Sequence, residues 1–154
     1  MTQAPCRIDL ADEAATQKLG VQLAALAQAG DVILLRGNLG AGKSTLARAF
    51  IRALTHPEEE VPSPTFTLVQ TYDTDLGPLW HFDLYRLEKP EDVFELGFED
   101  ACADICLVEW PERLGSLVPK KRLEVVMEIA PNSVGRIVSL VPTGHWVKDL
   151  EHQE

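Results

Sequence analysis

Residues 37–44 carry the clearest chemical pattern in the chain, because they fit G-x-x-x-x-G-K-[ST] at every fixed position. The apolar run at 32–35 predicts a buried strand before them, and the amphipathic run to Leu54 predicts a helix after them. In a strand–loop–helix setting, backbone N–H groups and the positive end of the helix converge on one anion. We therefore expect the chain to bind a nucleoside triphosphate.

The residues of this loop have separate expected tasks. We expect Lys43 to face solvent in the empty loop and to reach the β- and γ-phosphates of a bound nucleotide, while the Ser44 hydroxyl ligates Mg²⁺. The alternative is a glycine-rich turn with a chance lysine, which the strand–loop–helix setting disfavours. Nucleotide contacts are predicted for Asn38, Leu39, Gly40, Ala41, Gly42, Lys43, Ser44 and Thr45.

Two acidic residues are candidates to complete the site, since phosphoryl chemistry also needs an acid near the metal and a group that orders the nucleophile. Glu109 ends the apolar run at 105–108, a pattern typical of a carboxylate at the C-terminal edge of a buried strand, where ligands bind. Asp83 lies on the polar face of a hairpin strand. The alternatives are a solvent-exposed Glu109 and a surface Asp83 paired with Arg86.

The predicted strands that carry Glu109 and Asp83 suggest different roles for the two acids. Glu109 follows a buried strand, and a rigid position suits a direct or water-mediated contact with Mg²⁺. Asp83 is predicted on a more mobile hairpin, better placed to orient the attacking water or to couple to a switch. His81 shares the face of Asp83 and is a candidate to support it, the alternative being an ordinary hairpin histidine.

A switch and a base-binding region are also indicated. Thr65 lies in Ser-Pro-Thr at 63–65, after the loop helix, where a threonine can sense the γ-phosphate through Mg²⁺; the alternative is simple strand initiation. The guanine signature Asn-Lys-x-Asp is absent, which weakly favours adenine. Candidate adenine contacts are Asp12 and Glu13, at the start of the first predicted helix, and Arg136.

The remaining pattern predicts one α/β domain over residues 1–154, with a mixed central β-sheet flanked by helices. Strands are predicted at 6–10, 65–72, 79–85, 105–109, 123–129 and 136–141, and helices at 12–28, after the loop to 54, and at 90–96. The strands at 65–72 and 79–85 form a hairpin, and its antiparallel pairing makes the sheet mixed. A connector fills 55–64, and a polar tail with one or two helical turns is predicted from about 144.

Composition limits the classes of partner and compartment. Apolar residues make up 45% and charged residues 25% of the 154 residues, as in globular proteins, and no apolar run is long enough for a membrane span. Three cysteines and no signal peptide favour the cytoplasm, and we interpret Cys102 and Cys106 as buried thiols rather than metal ligands. The net charge of −10 repels nucleic acid, so a nucleic-acid substrate is expected to be held by a partner.

Four blocks together resemble the signatures of the TsaE family (older name YjeE), in the same order and spacing. They are Gly-Ala-Gly-Lys at 40–43, Ser-Pro-Thr-Phe-Thr-Leu-Val at 63–69, His-Phe-Asp-Leu-Tyr-Arg-Leu at 81–87 and Val-Glu-Trp-Pro at 108–111. The resemblance runs from about residue 8 to about 141. Two departures are mild: Asn38 stands where the family often has Asp, and Ser44, which supplies the same hydroxyl, stands where it often has Thr.

The resemblance implies a P-loop NTPase fold and a bacterial ATPase, using ATP and Mg²⁺, that is needed to make threonylcarbamoyladenosine in tRNA next to the anticodon. In that family the ATPase docks on the TsaB–TsaD pair and its hydrolysis is thought to reset that complex, so tRNA is met only indirectly. Carried over by position, Lys43 and Ser44 hold phosphate and Mg²⁺, Glu109 lies at the metal, and Asp83 and Thr65 belong to the catalytic and switch elements. Two other functions remain: a nucleotide-dependent non-catalytic adaptor, and a small-molecule kinase, disfavoured because no arginine-bearing lid is evident.

Overall fold

Seven strands form one mixed sheet in the computed structural model, which describes residues 6–38 and 40–151. The sheet order is β1-β7-β6-β2-β5-β4-β3, and the mixed sheet predicted from the sequence is confirmed. The neighbours β6, β2, β5 and β4 run parallel to one another, whereas β3 and β7 pair antiparallel with their neighbours. The strands are β1 Cys6–Leu10, β2 Val32–Arg36, β3 Val69–Thr74, β4 Gly77–Asp83, β5 Ile105–Glu109, β6 Leu123–Ile129 and β7 Arg136–Val141.

In the described ranges 6–38 and 40–151, four α-helices and two 3₁₀ segments flank the sheet. The helices are α1 Glu13–Leu26, α2 Lys43–Leu54, α3 Phe98–Ala101 and α4 Trp146–Glu151. Asp12 caps α1 by accepting a hydrogen bond from the Ala15 N–H at 2.9 Å. The helix predicted at 90–96 is present as a 3₁₀ segment, Pro90–Leu96, and the 3₁₀ segment Pro111–Leu117 and α3 were not predicted. No helix in the described ranges is long and apolar enough to span a bilayer.

The sheet separates two apolar cores, and β2 contributes alternate residues to each. Ile33 and Leu35 pack in the core on the side of α1 and α2, whereas Val32 and Leu34 pack in the core on the opposite side. A strand buried on both faces explains the continuous apolar run in the sequence. Cys106 is a buried thiol, as interpreted from the sequence, and its burial raises the pKa of the thiol well above the usual value. Cys102 is only half-buried.

The predicted hairpin is confirmed, but its outer ends are shorter than predicted. β3 begins at Val69 rather than at residue 65, because the Leu68 N–H bonds to the Pro64 carbonyl and closes a turn over 64–68. β4 ends at Asp83 rather than at Tyr85, since Asp83 Oδ1 accepts the Tyr85 N–H at 3.0 Å and the chain turns away. Short-range polar bonds therefore override strand propensity at both ends.

The C-terminal segment is bound to the sheet through His145 and Trp146. The Trp146 side chain is buried in the core of α1 and α2, so the tail predicted as polar anchors through an apolar residue. His145 Nε2 lies 2.9 Å from the carboxylate of Asp31, which precedes β2, and Nδ1 lies 2.7 Å from Asp149 in α4. Burial alone would lower the pKa of His145, but hydrogen bonds to Asp149 and Asp31 outweigh it and raise the pKa.

We predict that His145 makes stability depend on pH. Because the folded protein holds the pKa of His145 above its usual 6.5, the stabilisation is complete below about pH 6.5 and is lost as pH rises through the raised value. His145→Ala should lower the free energy of unfolding at pH 6 by about 1–3 kcal/mol, because buried Asp31 loses its imidazole partner and keeps only the Gln28 N–H within the described chain. Urea unfolding from pH 6 to 9 measures this. His56→Gln, at an exposed histidine paired with half-buried Glu59, is the matched control and should leave the profile unchanged.

The loop between β2 and α2 passes close to β6, and Gly37 is the point of contact. A Cβ added at Gly37 would lie 2.6 Å from the Met127 carbonyl oxygen, a backbone atom that cannot move aside cheaply. Gly40, in the same loop, also has a positive φ, 83° against 149° at Gly37, but an added Cβ there meets no atom within 4 Å. Two constraints therefore favour glycine at position 37: the positive φ, and the lack of room for a Cβ beside the Met127 carbonyl.

Gly37→Ala and Gly40→Ala form a matched pair that tests this close approach. Both place a side chain at positive φ, but only Gly37→Ala forces the loop away from β6. We expect Gly37→Ala to lower the free energy of unfolding by about 1–3 kcal/mol more than Gly40→Ala does. Chemical denaturation of the two variants measures the difference, and equal losses would show that the loop does not rest against Met127.

Candidate functional site

A cleft of about 690 Å³ opens at the C-terminal edge of the parallel strands, beside the start of α2. Such an edge is where ligands bind in open α/β sheets. It brings together most of the residues that the sequence singled out, which are Asp12, Glu13, Gly40, Gly42, Lys43, Ser44, Thr45, Thr65, Asp83, Glu109 and Arg136. Asn38 is exposed and Ala41 is buried without facing the cleft, while Leu39 lies outside the described residues.

The N-terminus of α2 points into this cleft without a side-chain cap. Gly42 occupies the N-cap position at φ 101°, and no side chain bonds to the first N–H groups of the helix. Uncapped N–H groups and the positive end of a twelve-residue helix favour an anion. Ser44 lies in the first turn of α2, and its residue is exposed and lines the cleft. Its hydroxyl can therefore reach a metal ion that is bound to the same anion.

Lys43 is buried, and the expectation that it faces solvent in the empty loop was wrong. Its residue exposure is 5%, and its ammonium nitrogen has no hydrogen-bond partner among the described residues. Burial lowers the pKa of Lys43, and the charges of Glu109, Glu112 and Asp83 oppose that shift without reversing it. The reason for the burial is Trp110, whose ring lies 3.5 Å from the nitrogen and covers it.

Asp83 and Glu109 lie side by side because β4 and β5 pair in parallel with these residues in register. The same register places Leu35, near the end of β2, opposite Glu109. Both carboxylates are buried, at 6% and 4% exposure, so the alternative of a solvent-exposed Glu109 is excluded. Asp83 ends β4 of the predicted hairpin, and β4 lies between β5 and β3 inside the sheet rather than at its edge.

Thr65 is hydrogen-bonded to Asp83, and both residues line the cleft. Its hydroxyl donates to Asp83 Oδ2 at 3.0 Å and lies 2.7 Å from the Ser63 hydroxyl. Thr65 belongs to the turn before β3, so the alternative of simple strand initiation is excluded. Arg86 makes no ion pair with Asp83 within the described part of the chain, and its guanidinium instead lies 4.6 Å from the Phe66 ring.

His81 supports Glu109 rather than Asp83. Its Nε2 lies 2.7 Å from Glu109 Oε2, and both side chains are almost fully buried. The hypothesis that His81 supports Asp83 failed because the decisive contact depends on how β4 and β5 align, which the sequence of β4 alone does not reveal. The contact fixes the orientation of the Glu109 carboxylate.

Arg136 reaches the cleft from the start of β7 and holds the loop. Its Nη2 donates to the Gly40 carbonyl at 2.9 Å, and its Nη1 donates to the Gly135 carbonyl at 2.8 Å. Glu13 and Val134 also line the cleft, and both are exposed. Two nitrogens of the guanidinium are therefore bonded to backbone carbonyls, one of them in the loop between β2 and α2, while Glu13 lines the cleft with an exposed carboxylate.

Sequence reasoning gave no role to Trp110 or Tyr85, both of which line the cleft. Trp110 has a left-handed backbone at φ 60° and ψ 50°, and its ring centroid lies 5.0 Å from that of Tyr85. A left-handed non-glycine residue costs about 1–2 kcal/mol, so the surrounding structure must enforce it. The available signal was its position between Glu109 and Pro111, inside one of the four recognised blocks.

Comparison with known proteins gives consistent results. The family model for "Threonylcarbamoyl adenosine biosynthesis protein TsaE" matches residues 10–137. The tRNA threonylcarbamoyladenosine biosynthesis protein TsaE of Nostoc sp. is 44% identical over 150 residues, which cover 94% of this chain and 90% of the relative. The protein of the same name from Rickettsia felis is 40% identical over 121 residues, or 78% of this chain and 71% of the relative.

The fold has a solved counterpart. The crystal structure of YdiB from Bacillus subtilis matches with a TM-score of 0.78 and 26% identity, covering 100% of this chain and 99% of that chain. This likeness confirms the predicted P-loop NTPase fold, with its mixed sheet and flanking helices. Since the family model also covers most of the chain, the chain belongs to the TsaE family of tRNA threonylcarbamoyladenosine biosynthesis, with the fold of a nucleotide-binding protein.

Proposed function

We propose that this chain is a Mg²⁺-dependent ATPase that acts with the TsaB–TsaD complex and resets it between rounds of threonylcarbamoyl transfer to tRNA. One observation carries the proposal: a buried lysine ammonium without a hydrogen bond lies at the uncapped N-terminus of α2, near two buried carboxylates. An unsatisfied cation beside free N–H groups suits a polyphosphate, which supplies the missing acceptors.

The loop residues bind and orient the nucleotide in this proposal. The α2 N–H groups and Lys43 neutralise the phosphates, and Arg136 keeps the loop closed by holding the Gly40 carbonyl. Glu13, which lines the cleft at the start of α1, presents an acceptor to the amino group of adenine. The carboxylate of Glu13 would repel the carbonyl oxygen that guanine carries at the equivalent place, which favours ATP over GTP.

The carboxylates divide the remaining work. Ser44 and Glu109 would hold Mg²⁺, and His81 fixes the Glu109 carboxylate for that task. The metal, when bound, neutralises charge developing on the phosphate oxygens. Asp83 orients the attacking water and accepts a hydrogen bond from it, and its bond to Thr65 couples this position to the turn at 64–68.

The partner and the compartment follow from family and charge. Members of the TsaE family belong to a tRNA modification pathway, so partners from that pathway are expected, and we propose TsaB and TsaD. The net charge of −10 disfavours direct tRNA binding, so tRNA is reached through the complex. We propose the cytoplasm as its location, because the free thiols of Cys6, Cys102 and Cys106 suit a reducing compartment.

We predict that partners accelerate hydrolysis. The isolated cleft is open to water, whereas docking excludes water and fixes the turn at Thr65, which strengthens the electrostatic stabilisation of the transition state. Phosphate release from ATP is measured with and without TsaB–TsaD, and Lys43→Ala should abolish the rate and nucleotide binding in both. Equal rates with and without TsaB–TsaD would contradict the partner role. Nucleotide binding without hydrolysis in either case would favour the adaptor function.

Glu109→Gln and Asp83→Asn should separate by role. Glu109→Gln should raise the Mg²⁺ concentration needed for nucleotide binding and lower hydrolysis, because the metal loses a charged ligand. Asp83→Asn should keep nucleotide affinity within about tenfold and slow hydrolysis by about 10²-fold. Calorimetry across a Mg²⁺ series and hydrolysis with partners present measure the two effects. If Asp83→Asn alone shifts the Mg²⁺ dependence, the two roles must be exchanged.

A further inference from the structure

The Lys43 ammonium rests on an aromatic ring rather than on a carboxylate. Its nitrogen lies 3.5 Å from the centroid of the Trp110 ring, a distance typical of a strong cation–π contact. Glu109, Glu112 and Asp83 are near enough for their charges to act on Lys43. Yet none of them forms an ion pair with Lys43 within the described part of the chain.

We infer that Trp110 is a positioning residue: its ring holds the Lys43 ammonium away from Glu109 and Asp83 until a phosphate takes the ammonium over. The inference rests on the proposed contact of Lys43 with nucleotide phosphate. Without the ring, the ammonium would close on the nearest carboxylates, since a buried cation seeks a charged partner. An ammonium on Glu109 would compete with Mg²⁺ for the carboxylate oxygens that the proposed function gives to the metal.

The backbone and the neighbouring rings hold Trp110 in this orientation. Its left-handed conformation comes directly after Glu109, so the chain turns the indole towards α2 at the end of β5. Tyr85 lies against the indole at 5.0 Å between ring centroids, and the Arg113 guanidinium lies 5.8 Å from the Tyr85 ring. The face of the indole that meets Lys43 is therefore fixed before any ligand arrives.

Phosphate binding would exchange one contact for stronger ones. The ring offers the ammonium an attraction but no hydrogen-bond acceptor, whereas phosphate oxygens accept charge-assisted hydrogen bonds. Transfer of the ammonium uncovers the Trp110 ring at the start of the 3₁₀ segment Pro111–Leu117. Nucleotide occupancy is thus reported at Trp110, outside the phosphate loop.

The first test follows the emission of Trp110, taken as the difference between the parent chain and Trp110→Phe. Addition of saturating ADP with Mg²⁺ should change this emission, and Lys43→Met should remove the change. In the nucleotide-free protein, Lys43→Met should also change the Trp110 emission, because the ring loses the ammonium that lies 3.5 Å from its centroid. Equilibrium dialysis measures ADP binding independently.

The second test measures the Mg²⁺ concentration that half-saturates nucleotide binding. Trp110→Leu removes the ring and should raise it about fivefold, the factor that corresponds to a cation–π contact of ordinary strength. Trp110→Phe keeps a weaker ring and should raise it less. Trp80→Phe, at a half-buried tryptophan that lies outside the cleft, is the matched control and should not change it. A purely structural role would lower the urea midpoint of the Trp110 variants without moving the Mg²⁺ requirement.

The outcomes separate this inference from the proposed function. If ADP binds but the Trp110 emission stays constant, or changes equally in Lys43→Met, the inference is overturned and the proposed function stands. An unchanged Mg²⁺ requirement in Trp110→Leu also overturns it. If dialysis shows no ADP binding to the parent chain, the proposed function fails and the inference fails with it.

Discussion

Parallel pairing of β5 with β2 and β4 is the constraint on which the candidate site depends. It brings the ends of three strands to one edge, so the phosphate loop after β2 lies beside Glu109 and Asp83. The register is secured by burial on both faces, because a slip of one residue would exchange the two apolar cores. The packing of the two apolar cores therefore determines which polar residues meet at the edge of the sheet.

The electrostatics of the cleft follow from burying one ammonium among carboxylates. Desolvation of Lys43 is unfavourable, and the surrounding negative charges and the Trp110 ring compensate it only in part, since the nitrogen lacks a hydrogen-bond partner in the described chain. An anion that enters the cleft relieves this deficit. The net charge of −10 repels anions from the chain as a whole, so the proposed phosphate binding depends on this local deficit.

The sequence predicts those parts of the fold that rest on local patterns. The strands at 105–109, 123–129 and 136–141 and the helix after the phosphate loop have the predicted bounds, because apolar runs and the motif mark them directly. The turn at 64–68 was missed, since short-range hydrogen bonds there compete with strand propensity. The burial of Lys43 and the partner of His81 were missed for another reason: both depend on side chains that come from other strands. The roles of the site residues remain predictions.

Because Asp83 and Glu109 are paired across β4 and β5, the sheet sets the distance between the two site carboxylates. Their backbones are held at the spacing of adjacent strands, ~4.8 Å, by hydrogen bonds of β4 and β5 rather than by a loop. Relatives can therefore gain or lose residues at the β3–β4 turn while the spacing of the two carboxylates stays constant. The length of the connector at 55–64 is more restricted, because it also determines where Thr65 reaches Asp83. Length variation is thus expected to be tolerated at the turn and restricted in the connector.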